Sequence, residues 1–92
     1  MAYLATPEKD PNARLDYKID WTPWIIAGDT IAASTFTLDT GITSDLSSFT
    51  DTTTTVWLLG GTAGRSYKVV NHVTFASGRQ DDRTLLIRVV QK

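Results

Sequence analysis

Ninety-two residues, 41% of them hydrophobic and 21% charged, with a formal net charge of -1, suffice for one compact domain and exclude a second. The lack of cysteine removes disulfide staples, thiol catalysis and thiolate zinc sites. No apolar run approaches the ~18 residues of a membrane span, the first ten residues lack a basic start followed by an apolar stretch, and near-neutral charge argues against a ligand bound by its phosphates.

The charge is unevenly spread. Residues 1–59 hold eight acids and three bases, whereas residues 60–92 hold two acids and six bases. Such an imbalance either neutralises within the fold or makes a bipolar subunit. Fifteen threonines and recurrent β-branched and aromatic residues give the composition of pleated surfaces, and no long segment carries a helical period.

Met1 to Arg14 is polar and predicts an extended N-terminal arm that orders only against a neighbouring subunit, anchored by Tyr3, Leu4 and Pro7. The alternation Leu15-Asp16-Tyr17-Lys18-Ile19-Asp20-Trp21 then predicts a half-buried strand. Thr22-Pro23-Trp24 interrupts it, because proline donates no ladder hydrogen bond. Beside that break, Trp24 and Ile25 are candidate interface residues.

A second strand is expected over 30–38, with Ile31, Ala33, Phe36 and Leu38 inward and a bulge near Ser34-Thr35. Asp39-Thr40-Gly41 and Ser44 to Ser48 are small and polar, hence loop. Asp51 to Leu59 is expected to enter a third strand, carrying Trp57, and Gly60-Gly61-Thr62-Ala63-Gly64 to make a tight turn. Ser66 to Phe75 alternates cleanly, with Tyr67, Val69, Asn71, Val73 and Phe75 on one face. Arg83 to Val90 returns as its hairpin partner.

Short strands separated by turns predict an all-β chain, a single immunoglobulin- or fibronectin type III-like antiparallel β-sandwich over 15–92 preceded by the arm over 1–14. Gly61 to Tyr67 looks like the turn entering a strand whose tyrosine bonds its hydroxyl back to the upstream backbone. Trp21, Trp57 and Tyr67 are therefore expected in structural roles.

No chemistry-bearing constellation is found. The single histidine, His72, has no sequence partners that imply a catalytic or metal site. Gly60 to Ser66 fails as a phosphate loop in glycine spacing, in having arginine for lysine and in leading to a strand. Asp39, Asp45 and Asp51 lack calcium-loop spacing. No catalytic residue, cofactor or metal is expected.

Lys9-Asp10-Pro11, Leu15 to Trp21, Gly28-Asp29-Thr30-Ile31, Ser34-Thr35-Phe36-Thr37, Val56 to Gly64, Tyr67 to Asn71 and Gly78 to Arg83, in that order, resemble the tailed-phage fibre–tail adaptors. Phe36 stands where relatives often have tryptophan, and Leu59 where a small residue is usual. The resemblance implies a non-enzymatic virion structural protein of immunoglobulin-like fold, joining tail or baseplate to fibre or receptor-binding protein. It implies other virion proteins as partners, a homo-oligomer in the assembled tail, neither nucleic acid nor membrane, and a soluble state in the host cytoplasm before assembly. The other readings are a capsid decoration or head–tail connector subunit, or a carbohydrate-binding module using Trp24 or Trp57 as a platform.

Overall fold

The computed structural model describes residues 3–92. Seven strands are formed: β1 (Glu8–Lys9), β2 (Leu15–Asp20), β3 (Ile31–Leu38), β4 (Ile42–Phe49), β5 (Thr53–Gly60), β6 (Ser66–Phe75) and β7 (Gln80–Val89). The one helical turn is a 3-10 segment, Thr22–Trp24, with proline near its start, where a missing backbone donor costs least. The described residues are thus all-β, in a four-stranded sheet ordered β1-β7-β6-β3 and a three-stranded sheet ordered β2-β5-β4.

Side-chain alternation explains the shared core. Tyr67, Val69, Val73 and Phe75 of β6 and Leu85, Ile87 and Val89 of β7 are buried from one sheet, and Ile19, Ile42, Val56 and Leu58 from the other. The β6–β7 hairpin is paired from Ser66↔Arg88 to Thr74↔Gln80, so these apolar sets keep to one face throughout. Its turn is closed by Phe75 N–H donating to Arg79 O and Gly78 N–H to Phe75 O, both at 2.8 Å.

Three expectations are corrected. The stretch read as loop from Ser44 to Ser48 lies within β4, an edge strand paired to β5 with a register shift between Ser44 and Leu46. Only its Ile42 is buried, so no apolar alternation marks it. The bulge expected near Ser34-Thr35 lies between Ile31 and Ala33, which turns Ala33 to solvent and Ser34, Phe36 and Leu38 toward the core side.

The arm is the third correction. Instead of waiting for a neighbour, it runs parallel along β7, with Leu4 N–H donating to Thr84 O, Leu86 N–H to Ala5 O, Arg88 N–H to Pro7 O and Val90 N–H to Lys9 O at 2.7–3.0 Å. Backbone pairing needs no apolar side chains, which is why composition did not reveal it. Lys9 is fully buried, its Nζ donating to Gly60 O at 2.8 Å and Asp10 O at 2.9 Å. Desolvation lowers the Lys9 pKa, partly offset by the Asp10 carboxylate. Met1 and Ala2 lie outside the described residues.

Candidate functional site

Two polar devices fix the ends of the core. At one, Trp21 is fully buried and its Nε1–H lies 3.1 Å from Thr54 Oγ1 and 3.0 Å from Asn71 Oδ1. Thr54 Oγ1–H donates to Asn71 Oδ1 at 2.6 Å, and Asn71 Nδ2 donates to Ser34 Oγ and Thr35 O at 2.9 Å. Every polar atom of this cross-sheet cluster has a partner, as burial demands. Asn71 in an otherwise apolar register was the only sign of it in the sequence.

At the other end, Tyr67 Oη accepts a hydrogen bond from Thr62 N–H at 2.9 Å. That bond, helped by nearby Arg65 and opposed by burial, lowers the phenol pKa. The ring fits between Gly41 and Gly61, both at positive φ. A methyl group on Gly41 would meet Tyr67 Cε1 at 2.8 Å, and one on Gly61 would meet Val89 Cγ2 at 2.6 Å.

Between these devices lies an open groove of about 650 Å³ lined by Tyr3, Leu4, Trp24, Val70, Asp82, Arg83 and Thr84. Tyr3 and Leu4 are 38% and 39% exposed, held there by the arm's first bond to Thr84. Trp24, positioned by the 3-10 turn, packs edge-on against Trp21 at 5.5 Å, and Trp21 packs likewise on Phe75 at 6.2 Å. The Arg83 guanidinium covers Trp24 at 4.2 Å and is itself held by Asp81 at 2.9 Å.

On the rim, His72 Nδ1 and Asp82 Oδ1 are 2.5 Å apart, and His72 Nε2 lies 3.0 Å from Gln80 Oε1. The bond to Asp82 raises the histidine pKa, partial desolvation opposing it and the Gln80 contact and Asp82 charge adding to it.

The groove brings together Tyr3, Leu4 and Trp24 of the residues expected at an interface. Pro7 is half-buried and engaged with β7 through its carbonyl, and Ile25 packs against the core. Trp57 departs from a core position: it lies on the outward register of β5, half-buried, between Asp16 and Leu46 across the strands. The Arg14 guanidinium covers its ring at 4.4 Å and is paired to Asp45 at 2.9 Å. Arg14 and Arg83 were not legible as partners of tryptophan because both contacts join residues far apart in sequence.

The sequence model of the family described as Podophage GP4 fiber-tail adaptor protein gp77 matches residues 9–88. The chain belongs to that family. The match takes in β2 to β6, all of β7 but its last residue, and most of the groove, and leaves Tyr3 and Leu4 outside it. No curated protein matches the chain. Among the described residues of this adaptor-family member, no cluster of three metal-ligating side chains is formed, and no helix is long and apolar enough to cross a membrane.

Proposed function

We propose that this chain is a non-enzymatic adaptor of the phage tail that joins tail or baseplate to a fibre or receptor-binding protein through protein–protein contacts. The observation that carries the reading, beside family membership, is the groove in which arm residues Tyr3 and Leu4 meet Trp24. An aromatic anchor beside exposed apolar side chains, with an arginine and a carboxylate at the rim, is the make-up of a protein-binding surface. The subunit is soluble in the host cytoplasm until it joins the virion tail, acts there as a homo-oligomer, and takes neither nucleic acid nor membrane as partner.

The strand order supports an immunoglobulin-like sandwich: β2-β5-β4 faces β1-β7-β6-β3, with a short parallel strand added at the β7 edge and a tyrosine corner at the start of β6. The arm then serves two purposes, with residues 5–9 completing the sheet and Tyr3 and Leu4 presented to a partner. The carbohydrate-binding alternative needs an open aromatic face. Arg14 over Trp57 and Arg83 over Trp24 cover the two candidate platforms, which favours protein contacts over sugar stacking.

The test is capture of the purified neighbouring fibre and baseplate proteins by the wild-type chain and by a Tyr3→Ser/Leu4→Ser variant. A bound partner whose affinity falls at least about tenfold in the variant, with melting little changed, supports the groove. Capture undiminished by the variant overturns the groove, and no capture of any tail protein overturns the adaptor reading.

A further inference from the structure

The charge imbalance of the sequence becomes a spatial one once the fold is known. The described residues extend 43 Å along their longest axis. At one end lie the 3-10 turn, the start of β3, the β4–β5 connection and the β6–β7 turn. At the other lie the β3–β4 and β5–β6 turns and the end of β7.

Four pairs cancel locally or nearly so: Arg14–Asp45, Arg83–Asp81, Lys92–Glu8 and the His72–Asp82 contact. Buried Lys9 faces Asp10, and Asp16 and Lys18 lie along the middle of β2. What is left is polar along the axis. Asp20, Asp29 and Asp51 stand at the first end against Arg79 alone, and Arg65, Lys68 and Arg88 near the second against Asp39 alone. Among the described residues, none of these eight forms an ion pair within 4 Å.

Shape follows the same division. The acidic end holds an open hollow of about 410 Å³ formed by Ile26, Gly28, Asp29, Ser77 and Arg79 with neighbouring alanines. Ile26 is 53% exposed beside it. The hollow's wall is fixed, because Asp29 accepts hydrogen bonds from Ser77 N–H at 3.1 Å and Ser77 Oγ–H at 2.7 Å, tying the two turns together. The basic end presents the exposed turn Thr62–Arg65, closed by Arg65 N–H donating to Thr62 O.

We infer that the hollow at the acidic end of one subunit, whose own lining sets Asp29 against Arg79, receives the Thr62–Arg65 turn of a second copy, end against end, so that Arg65 meets Asp29 and the Asp51 carboxylate beyond the hollow at that end. The inference rests on the homo-oligomeric part of the adaptor reading and names the surfaces that make it. Such a contact uses two different patches, so it closes into a ring or continues as a chain and does not stop at two copies. Opposite charges at its two sides make it strongest at low ionic strength, where screening acts only beyond ~30 Å.

Mass by light scattering and sedimentation, on the full chain without other virion proteins, tests it over a concentration series at ~10 mM and ~300 mM salt. The variants are Arg65→Glu and Asp51→Lys; the Asp51 carboxylate makes no hydrogen bond among the described residues, so its reversal leaves the fold's own contacts in place. The expected result is growth beyond dimers at low salt, weakened at least about tenfold in either variant and regained when the two variants are mixed, since reversed ends then face each other. A monomer at every concentration, a closed dimer, or indifference to both variants overturns the inference. Fibre capture is measured separately on the wild type and both variants, so capture intact in a wild-type chain that does not self-associate, or whose self-association ignores both variants, refutes this contact and leaves the adaptor reading standing.

Discussion

Two edge strands, β1 of one sheet and β4 of the other, reverse what their lengths suggest. β1 has two residues, yet it carries a fully buried side chain, Lys9, and belongs to a segment bonded repeatedly to β7. β4 has eight residues and buries only Ile42, with Leu46 at 53% and Phe49 at 44% exposure. Burial therefore follows where a strand lies against the core and what lies beyond it, and neither its length nor its apolar content. The Tyr67 corner joins the two regions: Gly60 O takes the Lys9 ammonium, and Gly61 N–H donates to Gly41 O next to the start of β4.

Deleting residues 1–10 is the most severe way to break this comparison. It removes the arm's backbone bonds to β7, takes the Lys9 ammonium from Gly60 O and uncovers the β7 edge. A fall in Tm of more than about 10 °C is expected. An unchanged Tm would show that the arm contributes nothing to its own domain.

Gly61→Ala attacks the joint between the edges. The added methyl meets Val89 at a backbone φ of +93°, which L-residues rarely adopt, so a loss of about 1–3 kcal/mol is expected by denaturant titration. A variant as stable as the parent would mean that the corner yields without strain.

Two tyrosines sharpen the point about what burial requires. Tyr67 Oη has its partner in Thr62 N–H, whereas the buried Tyr17 Oη has none. Burial, followed by the charge of Asp16, raises the Tyr17 pKa. Tyr67→Phe should lower Tm by roughly 4–8 °C, while Tyr17→Phe should be neutral or stabilising because it deletes an unsatisfied hydroxyl. Equal effects in calorimetry would refute the distinction.

Much of the four-stranded sheet was legible because the register of β6 and β7 alternates without interruption from Tyr67 to Phe75 and from Leu85 to Val89. The tyrosine turn was legible from Gly61 to Tyr67. The edges were not. β4 reads Ile-Thr-Ser-Asp-Leu-Ser-Ser-Phe, and a strand that buries only its first residue has no period to display. The arm's pairing with β7 is carried by backbone groups that every sequence possesses. Of the groove, the sequence pointed to Tyr3, Leu4 and Trp24, but Asp82 read as a turn residue because β7 starts at Gln80, three residues before the strand expected from Arg83. A direct check on the open edge is Leu46→Thr, expected to change stability by less than about 0.5 kcal/mol; a larger loss would mean that β4 is covered.

The smallest expected effect concerns His72 and Asp82, at the groove rim on the exposed face of the β6–β7 hairpin. Because the folded chain raises the histidine pKa, it binds the proton more tightly than the unfolded chain does. The pair's stabilisation is therefore complete below the ordinary imidazole value near ~6.5 and is lost as pH rises through the elevated folded value. Relative to His72→Gln, the wild-type Tm should be higher by about a degree or two at pH 5.5, with the difference gone at pH 9. An NMR titration of His72 supplies the independent readout. A midpoint at or below that of a free imidazole would remove the ion pair from the rim and leave only the neutral contacts to Asp82 and Gln80, with no pH-dependent difference between the two proteins.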